Sequence, residues 1–377
     1  MTQRSKQRML SDGFFIARLS GLLYFHRAAN VLDKTLRRRG ISSQFPKVIP
    51  FIFRWCGMGF KILLAFPFAI LPMLIFIYVV RRLDKYDPEP LWLMTFHFLW
   101  GALIAVSGAA LLNGQVQSWL GVSGLSISNA PADKQAMVLL SVALLGPIIE
   151  ELLKGSVFAI STSVREFNNL TDGIVYGSTV GFGFAMAENL VYFIQYAAAD
   201  DGWWQLVIYR TFFSATMHAL SSSVFAAFLG YGRWKYGDIP AKMALGIIPA
   251  ILLHIGWNYF ISSTSYGVNI GGFVLVAVAF GIICYAFARS MRYEHIKIRE
   301  ELEQEAKAGT IPPEYIELPF RNHNSAEEYL LALICSQIAF ERITNRQLRT
   351  PHQIERSNQI LAALRKKVQS LPPLPSS

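Results

Sequence analysis

The sequence predicts an all-α fold: a polytopic bundle of about 7–8 membrane helices carrying a small helical cytoplasmic tail. Three observations predict it. Of the 377 residues, 53% are hydrophobic and only 16% are charged, against about 25% charged in an ordinary soluble domain. The apolar residues gather into long runs with few charges. The basic residues sit elsewhere: residues 1–61 hold 12 Lys and Arg against 2 Asp and Glu, residues 62–288 hold 10 against 12, and residues 289–377 hold 13 against 11. A soluble enzyme and a disordered chain are both excluded over most of the length. A basic arm beside an apolar block suits an anionic bilayer surface, so the lipid bilayer is the expected partner and nucleic acid is not.

The chain divides accordingly into a basic, partly membrane-interfacial N-terminal arm (1–61), a transmembrane domain (62–288) and a cytoplasmic helical tail (289–377). In the arm, the apolar run Phe14-Phe15-Ile16 is cut by Arg18, so no cleavable signal peptide is expected. Seven runs are long enough to span a membrane: 62–80, 91–113, 137–160, 173–198, 204–230, 242–262 and 266–288. Their Gly and Pro residues, Gly146-Pro147 among them, are tolerated where neighbouring helices satisfy freed backbone groups. Lys and Arg in short loops set orientation. Arg81, Arg82, Lys85, Arg233, Lys235 and Lys242 mark cytoplasmic loops, Asp200-Asp201 an outer one, and Arg289, Arg292 and Lys297 keep the C-terminus inside. Seven crossings leave the basic arm outside, and an eighth, dipping or crossing over 48–60, would return it to the cytoplasm. The tail continues with a charged helix over 290–307 and a Pro-containing linker over 308–324. A capping box, Ser325-Ala-Glu-Glu328, opens a helix that runs to about Arg346. Thr350-Pro351 starts another. Cys56, Cys284 and Cys335 lie too far apart to suggest a disulfide framework or a thiolate metal site.

Ionisable side chains deep in a span are costly and mark function by default. The third span carries Glu150, Glu151 and Lys154, the fourth Glu188 and Asn189, the fifth His218, and the sixth His254 and Asn258. Counted from the cytoplasmic ends at about 1.5 Å per residue, Glu150 lies at roughly 15 Å, His218 and His254 at roughly 18 Å and Glu188 at roughly 22 Å. All four fall near one level in a hydrocarbon core about 30 Å thick. Glu150 and Lys154, like His254 and Asn258, are spaced i,i+4 and share a helix face. Glu150 and Glu151 are about 100° apart around the axis and cannot do the same job. Arg210 and His97 have no evident partner and are expected to be interfacial or structural. Asp172 is placed to favour a helix N-terminus.

Carboxylates, imidazoles and an amide around intramembrane water suit peptide hydrolysis, which needs a base, oxyanion donors and an acid for the leaving amine. In this reading Glu150, with Glu151 and His218, activates water, and His254 and Asn258 stabilise the tetrahedral intermediate. Lys154, Glu188 and Asn189 support them. A metal version is equally open, with Glu150, Glu188, His218 and His254 as candidate zinc ligands; a glutamate-type enzyme would need no cofactor. Two other classes use the same ingredients: a proton- or cation-coupled transporter and a non-catalytic membrane scaffold.

The motifs Glu150-Glu151-x-x-Lys154, Phe184-x-x-x-Glu188-Asn189, His218 and His254-x-x-x-Asn258 resemble those of the PrsW-type intramembrane proteases, relatives of the CAAX-prenyl and bacteriocin-processing membrane endopeptidases. Leu83-Asp-Lys-Tyr-Asp-Pro88-Glu-Pro90 and Asp172-Gly173-x-x-Tyr176-Gly177 resemble that family too, so the likeness runs over roughly 62–288. It implies an intramembrane endopeptidase of the bacterial cytoplasmic membrane that cleaves membrane proteins site-specifically, in some bacteria anti-sigma factors, by metal- or glutamate-dependent chemistry. The prenyl-protease branch would use EExxxR and a His in place of Glu188; Lys154 and Glu188 follow the PrsW pattern instead, which argues against a prenylated substrate. The tail lies outside the likeness and is a candidate surface for a cytoplasmic partner.

Overall fold

The computed structural model describes residues 45–127, 129–198, 202–236, 239–263, 265–346 and 350–371, with side chains from residue 57 onward. Most of the basic arm and Asp200-Asp201 lie outside the described residues. Those described form helices and connecting turns, with no strand among them.

Helix α1 (Phe45–Leu83) is continuous, so residues 48–60 lengthen the first spanning helix and make no separate crossing. A short loop ending at Pro90 leads into α2 (Leu91–Trp119), and a longer one into α3 (Gln135–Ser161). Then follow α4 (Leu170–Gln195), α5 (Trp203–Tyr236), α6 (Ile247–Ile261, entered through a 3-10 turn over Ala241–Gly246) and α7 (Tyr266–Lys307). Two compact units emerge: residues 1–64 with 194–200, and residues 65–193 with 201–377. Among its described residues the first holds the opening of α1 and the end of α4.

Among the described residues, six helices are long and apolar enough to cross a membrane: the hydrophobic part of α1, α2, α3, α5, α6 with its entry turn, and α7. The seventh expected span, 173–198, corresponds to α4, which does not reach that class. The physical reason is its position. Seventeen of its 26 residues are buried, so its surface meets protein and can be rich in Gly, Ser and Thr. Gly173, Gly177 and Gly181 face α5 at i,i+4,i+8 spacing, where a Cβ would strike the backbone at Ala226, Ser222 and His218. Gly183 meets the backbone of α2 at Phe98 in the same way. Small residues let helix backbones touch inside a membrane, and here they draw α4 against α5 and α2.

Three spanning helices contain a π-helical turn: Trp100–Ala105 in α2, Leu140–Leu145 in α3 and Arg210–Ser214 in α5. Such turns often accompany functional sites. The one in α3 has a legible cause. The Gly146 N–H pairs with Ser141 O, five residues back. The next donor in that register would be residue 147, which is proline and has no N–H. Asn258 of α6 supplies it instead, its Nδ2 donating to Val142 O at 3.1 Å.

The charged helix expected over 290–307 is the far end of α7, whose 42 residues reach about 60 Å, well beyond a hydrocarbon core. Helices α8 (Ala326–Asn345) and α9 (Pro351–Ser370) pack on that extension around Ile298, Leu302, Leu331, Cys335, Ile338 and Leu361. Both predicted caps form: Ser325 accepts from the Glu328 N–H and Thr350 from the Gln353 N–H. Glu328 reaches one residue further back than in a capping box, accepting from the Asn324 N–H at 2.7 Å.

Candidate active site

Four helices deliver the polar side chains. Glu150, Glu151 and Lys154 come from the α-helical turns of α3 that follow the π turn and Gly146-Pro147. Glu188 and Asn189 come from α4, Arg210, His218 and Ser221 from α5, and His254 from α6.

Glu151 is 1% exposed and is the hub. Its Oε1 receives Lys154 Nζ in a buried ion pair, Ser221 Oγ at 2.9 Å and His254 Nδ1 at 2.7 Å. Lys154 shares a helix face with Glu150 by its i,i+4 spacing, but its ion pair is with Glu151, at i,i+3. Both spacings bring side chains together on a helix, and the buried carboxylate has the greater need of a counterion. Glu150, offset by about 100°, meets the other ring nitrogen of His254. Its side chain is 15% exposed. Its Oε1 lies 3.4 Å from Asn113 Nδ2, and its Oε2 lies 3.7 Å from His254 Nε2.

His218 stands edge-on to His254, with ring centroids 4.9 Å apart. Its Nε2 lies 2.8 Å from Glu188 Oε2 and its Nδ1 3.3 Å from Lys154 Nζ. Lysine is a donor only, so Nδ1 accepts and Nε2–H donates to Glu188. Arg210 completes this side: Nη2 lies 2.7 Å from Glu188 Oε2, Nε donates to Asn189 Oδ1 at 2.9 Å, and the guanidinium lies over the Tyr192 ring. Arg210 thus has the partners the sequence reading did not find. The signal was present: a lone arginine in an apolar span needs a counterion, and Glu188 needed one too. Asn113 and Ser221 were missed because neutral polar residues in a span are common.

One ligand atom each from Glu150, His218 and His254 lies within 4.8 Å of the others. Of the four predicted ligands, Glu188 stands outside this group, held by Arg210 and His218. Asn258 is drawn to the Val142 carbonyl, where it ties α6 to α3.

A second buried cluster lies where α2 and α4 begin. Glu89 accepts the Tyr176 hydroxyl in a short bond and shares a hydrogen bond with Asp172. Asp172 Oδ2 accepts the Asn168 and Asn169 N–H groups at 2.7 and 3.0 Å, and Asn169 Oδ1 accepts the Asp172 N–H in return. Asp172 therefore closes a reciprocal cap at the start of α4. His97 stacks on Tyr176 and touches Leu93 O and Ser161 Oγ, each at 2.8 Å. The sequence reading found no partner for it, and the structure supplies three. Asp84 is buried beside this cluster, its Oδ2 without a hydrogen bond. Burial first, then repulsion from neighbouring carboxylates, holds Asp84 and Glu89 well above the usual carboxylate range. Burial does the same to Asp172.

Membrane-crossing helices that converge on carboxylates and paired imidazoles define an intramembrane hydrolytic enzyme, with the bilayer as its solvent. The comparisons specify the class. Residues 89–286 match the PrsW family intramembrane metalloproteases. The chain is 28% identical over 218 residues to Protease PrsW of Shouchella clausii, covering 57% of this chain and 89% of that protein. It is 25% identical over 221 residues to Protease PrsW of Oceanobacillus iheyensis, covering 58% and 90%. It is 30% identical over 197 residues to Protease PrsW of Clostridioides difficile, covering 50% and 75%. No solved structure matches. The chain belongs to the PrsW family: it is a multi-pass membrane protein and an intramembrane endopeptidase acting on membrane-protein substrates. Of the classes the sequence left open, the transporter and the scaffold fall away.

Proposed function

We propose that Glu150, His218 and His254 form the catalytic centre, and that Glu151, Lys154, Glu188, Asn189 and Arg210 hold it in place. The observation that carries this reading is the approach of three potential ligand atoms, from three helices, to within 4.8 Å. Glu150 is the base. It is less sealed than Glu151 and carries no cation of its own, so it can take a proton from a water bound at its exposed side. Glu151 binds His254 through Nδ1, which sets the tautomer and turns Nε2 toward Glu150. The hydroxide so formed attacks the scissile carbonyl. Negative charge develops on its oxygen in the field of Lys154 and Arg210, both buried where charges are weakly screened. As the C–N bond breaks, the proton held on Glu150 passes to the leaving amine. Glu188, fixed by Arg210, orients His218.

The donor set also fits a divalent metal. Two imidazoles and a carboxylate are a catalytic zinc triad, and a second carboxylate stands behind each imidazole, Glu151 behind His254 and Glu188 behind His218, as outer partners of metal ligands do. Glu150, His218 and His254 would hold the ion; the Lys154 ammonium beside His218 Nδ1 would then turn wholly to Glu151. When bound, zinc polarises a carbonyl and makes water more acidic.

The substrates are membrane-anchored proteins of the regulator type. The C-terminus faces the cytoplasm, and the arm, the membrane domain and the tail act as separate regions divided near residues 61 and 288. The test uses purified protein in proteoliposomes with a single-span reporter that the wild type cleaves. Glu150→Gln and His218→Ala are each expected to lose at least about a hundredfold in turnover; wild-type turnover in both removes the reading. Metal content and chelator sensitivity, read on the same preparation, divide the two versions: one equivalent of zinc with chelator-sensitive cleavage supports the metal, and full cleavage by metal-free protein supports glutamate alone.

A further inference from the structure

Where α7 leaves its apolar stretch, a groove of about 910 Å³ opens between α7, the end of α5 and α8. Ile282 and Ala286, still on the apolar stretch of α7, line it on one side, and Arg289 and Arg292 line it where that stretch ends. Five cations line it against two carboxylates. The carboxylates are already engaged. Glu294 is buried, with Oε1 taking the Thr171 and Ser290 hydroxyls, and Glu301 is bound by Arg342 and Arg346. Arg289, Arg292 and Lys235 make no ion pair among the described residues. Trp234 and Tyr293 stand edge-on at 5.8 Å beside them, and Lys297 lies over the Tyr293 ring.

We infer that this groove binds the phosphate headgroup of an anionic phospholipid, with its acyl chains running down α7 past Ile282. Each feature is what such a ligand needs. Unpaired cations sit at the edge of an apolar span, where a headgroup phosphate lies, and basic pockets between helices on the cytoplasmic side suit anionic headgroups. Tyr and Trp mark the membrane–water interface. Ile282 and Tyr285 are 61% and 69% exposed, leaving an apolar flank for the chains. The volume is that of a small-molecule site. None of these residues belongs to the catalytic cluster. The inference rests on the cytoplasmic placement of the C-terminus, and lipid binding is read without proteolysis, so the two proposals fail separately.

The test is native mass spectrometry of the full chain released from detergent with phosphatidylglycerol, phosphatidylcholine or inorganic phosphate. The wild type is expected to keep one phosphatidylglycerol at concentrations where phosphatidylcholine is lost. Arg289→Gln with Arg292→Gln weakens that retention by at least about tenfold, as the loss of two interfacial cations implies, while Arg289→Lys with Arg292→Lys retains it. Lys366→Gln with Lys367→Gln, the same change of charge on exposed α9 positions, leaves it unchanged. Equal retention of both lipids, an equal loss in the α9 variant, or displacement of the lipid by equimolar inorganic phosphate would each overturn the inference.

Discussion

Glu151, which is buried, and Glu188, which is partly buried, each touch both a cation and an imidazole. Around Asp84, Glu89 and Asp172, buried carboxylates meet a tyrosine hydroxyl, backbone N–H groups and one another. Residue type is shared, and Glu151 is as buried as the second group; the neighbours differ. The first arrangement keeps charge inside a low-dielectric interior, where it can do proton chemistry. The second makes its acids harder to ionise through burial and works as a clamp: it joins the loop before α2 to the start of α4 and so fixes the helix that carries Glu188. An acidic residue buried at a helix end is therefore poor evidence of catalysis, whereas one buried with its own counterion and an imidazole is much better evidence.

The contrast can be broken most forcefully at Lys154. Lys154→Met leaves Glu151 charged and sealed without its ammonium, and a loss of about 3–5 kcal/mol is expected, the usual cost of breaking a buried pair from one side. Lys154→Met with Glu151→Leu should lose markedly less stability than Lys154→Met alone, though without activity. Denaturation midpoints in detergent for the two variants decide it; equal losses would mean the ion pair is not what holds this region.

A smaller effect is expected in the second cluster, with the opposite sign. Asp84→Asn should stabilise the protein at pH 8 by on the order of 1–2 kcal/mol, since an orphaned buried oxygen is replaced by a group that can donate to its acidic neighbours. The pH dependence follows from the raised carboxyls. Folded-state values above the ordinary one mean the folded chain binds more protons than the unfolded chain. Their stabilisation is complete below about pH 4 and falls as pH rises toward the raised values. Melting temperatures at pH 5 and pH 8 should therefore lie closer together in Asp84→Asn than in the wild type. An unchanged gap would show that Asp84 ionises freely.

Much of this was legible in the residues. Apolar runs located the spans because the hydrocarbon core sets their length, and a 100° offset was enough to separate Glu150 from Glu151. Ser325 and Thr350 were legible as caps because capping is local. What was not legible depended on which helix is surrounded. Helix α4 counts as a span by length, yet its glycines and hydroxyls reflect neighbours that only the fold supplies. Asn258 shares a face with His254, but the bare Val142 carbonyl that attracts it exists only because Pro147 follows a π turn. Arg210 and Glu188 are 22 residues apart on different helices, and no periodicity connects them.

The central claim is that Glu150 and His218 act on one molecule. A double-mutant cycle in proteoliposome cleavage tests it most directly, using Glu150→Gln, His218→Ala and the combination. If the two serve one centre, the double variant should be no slower than the slower single variant within a few fold, because either loss already dismantles the unit. Losses that multiply would contradict the account and place the two side chains in independent roles.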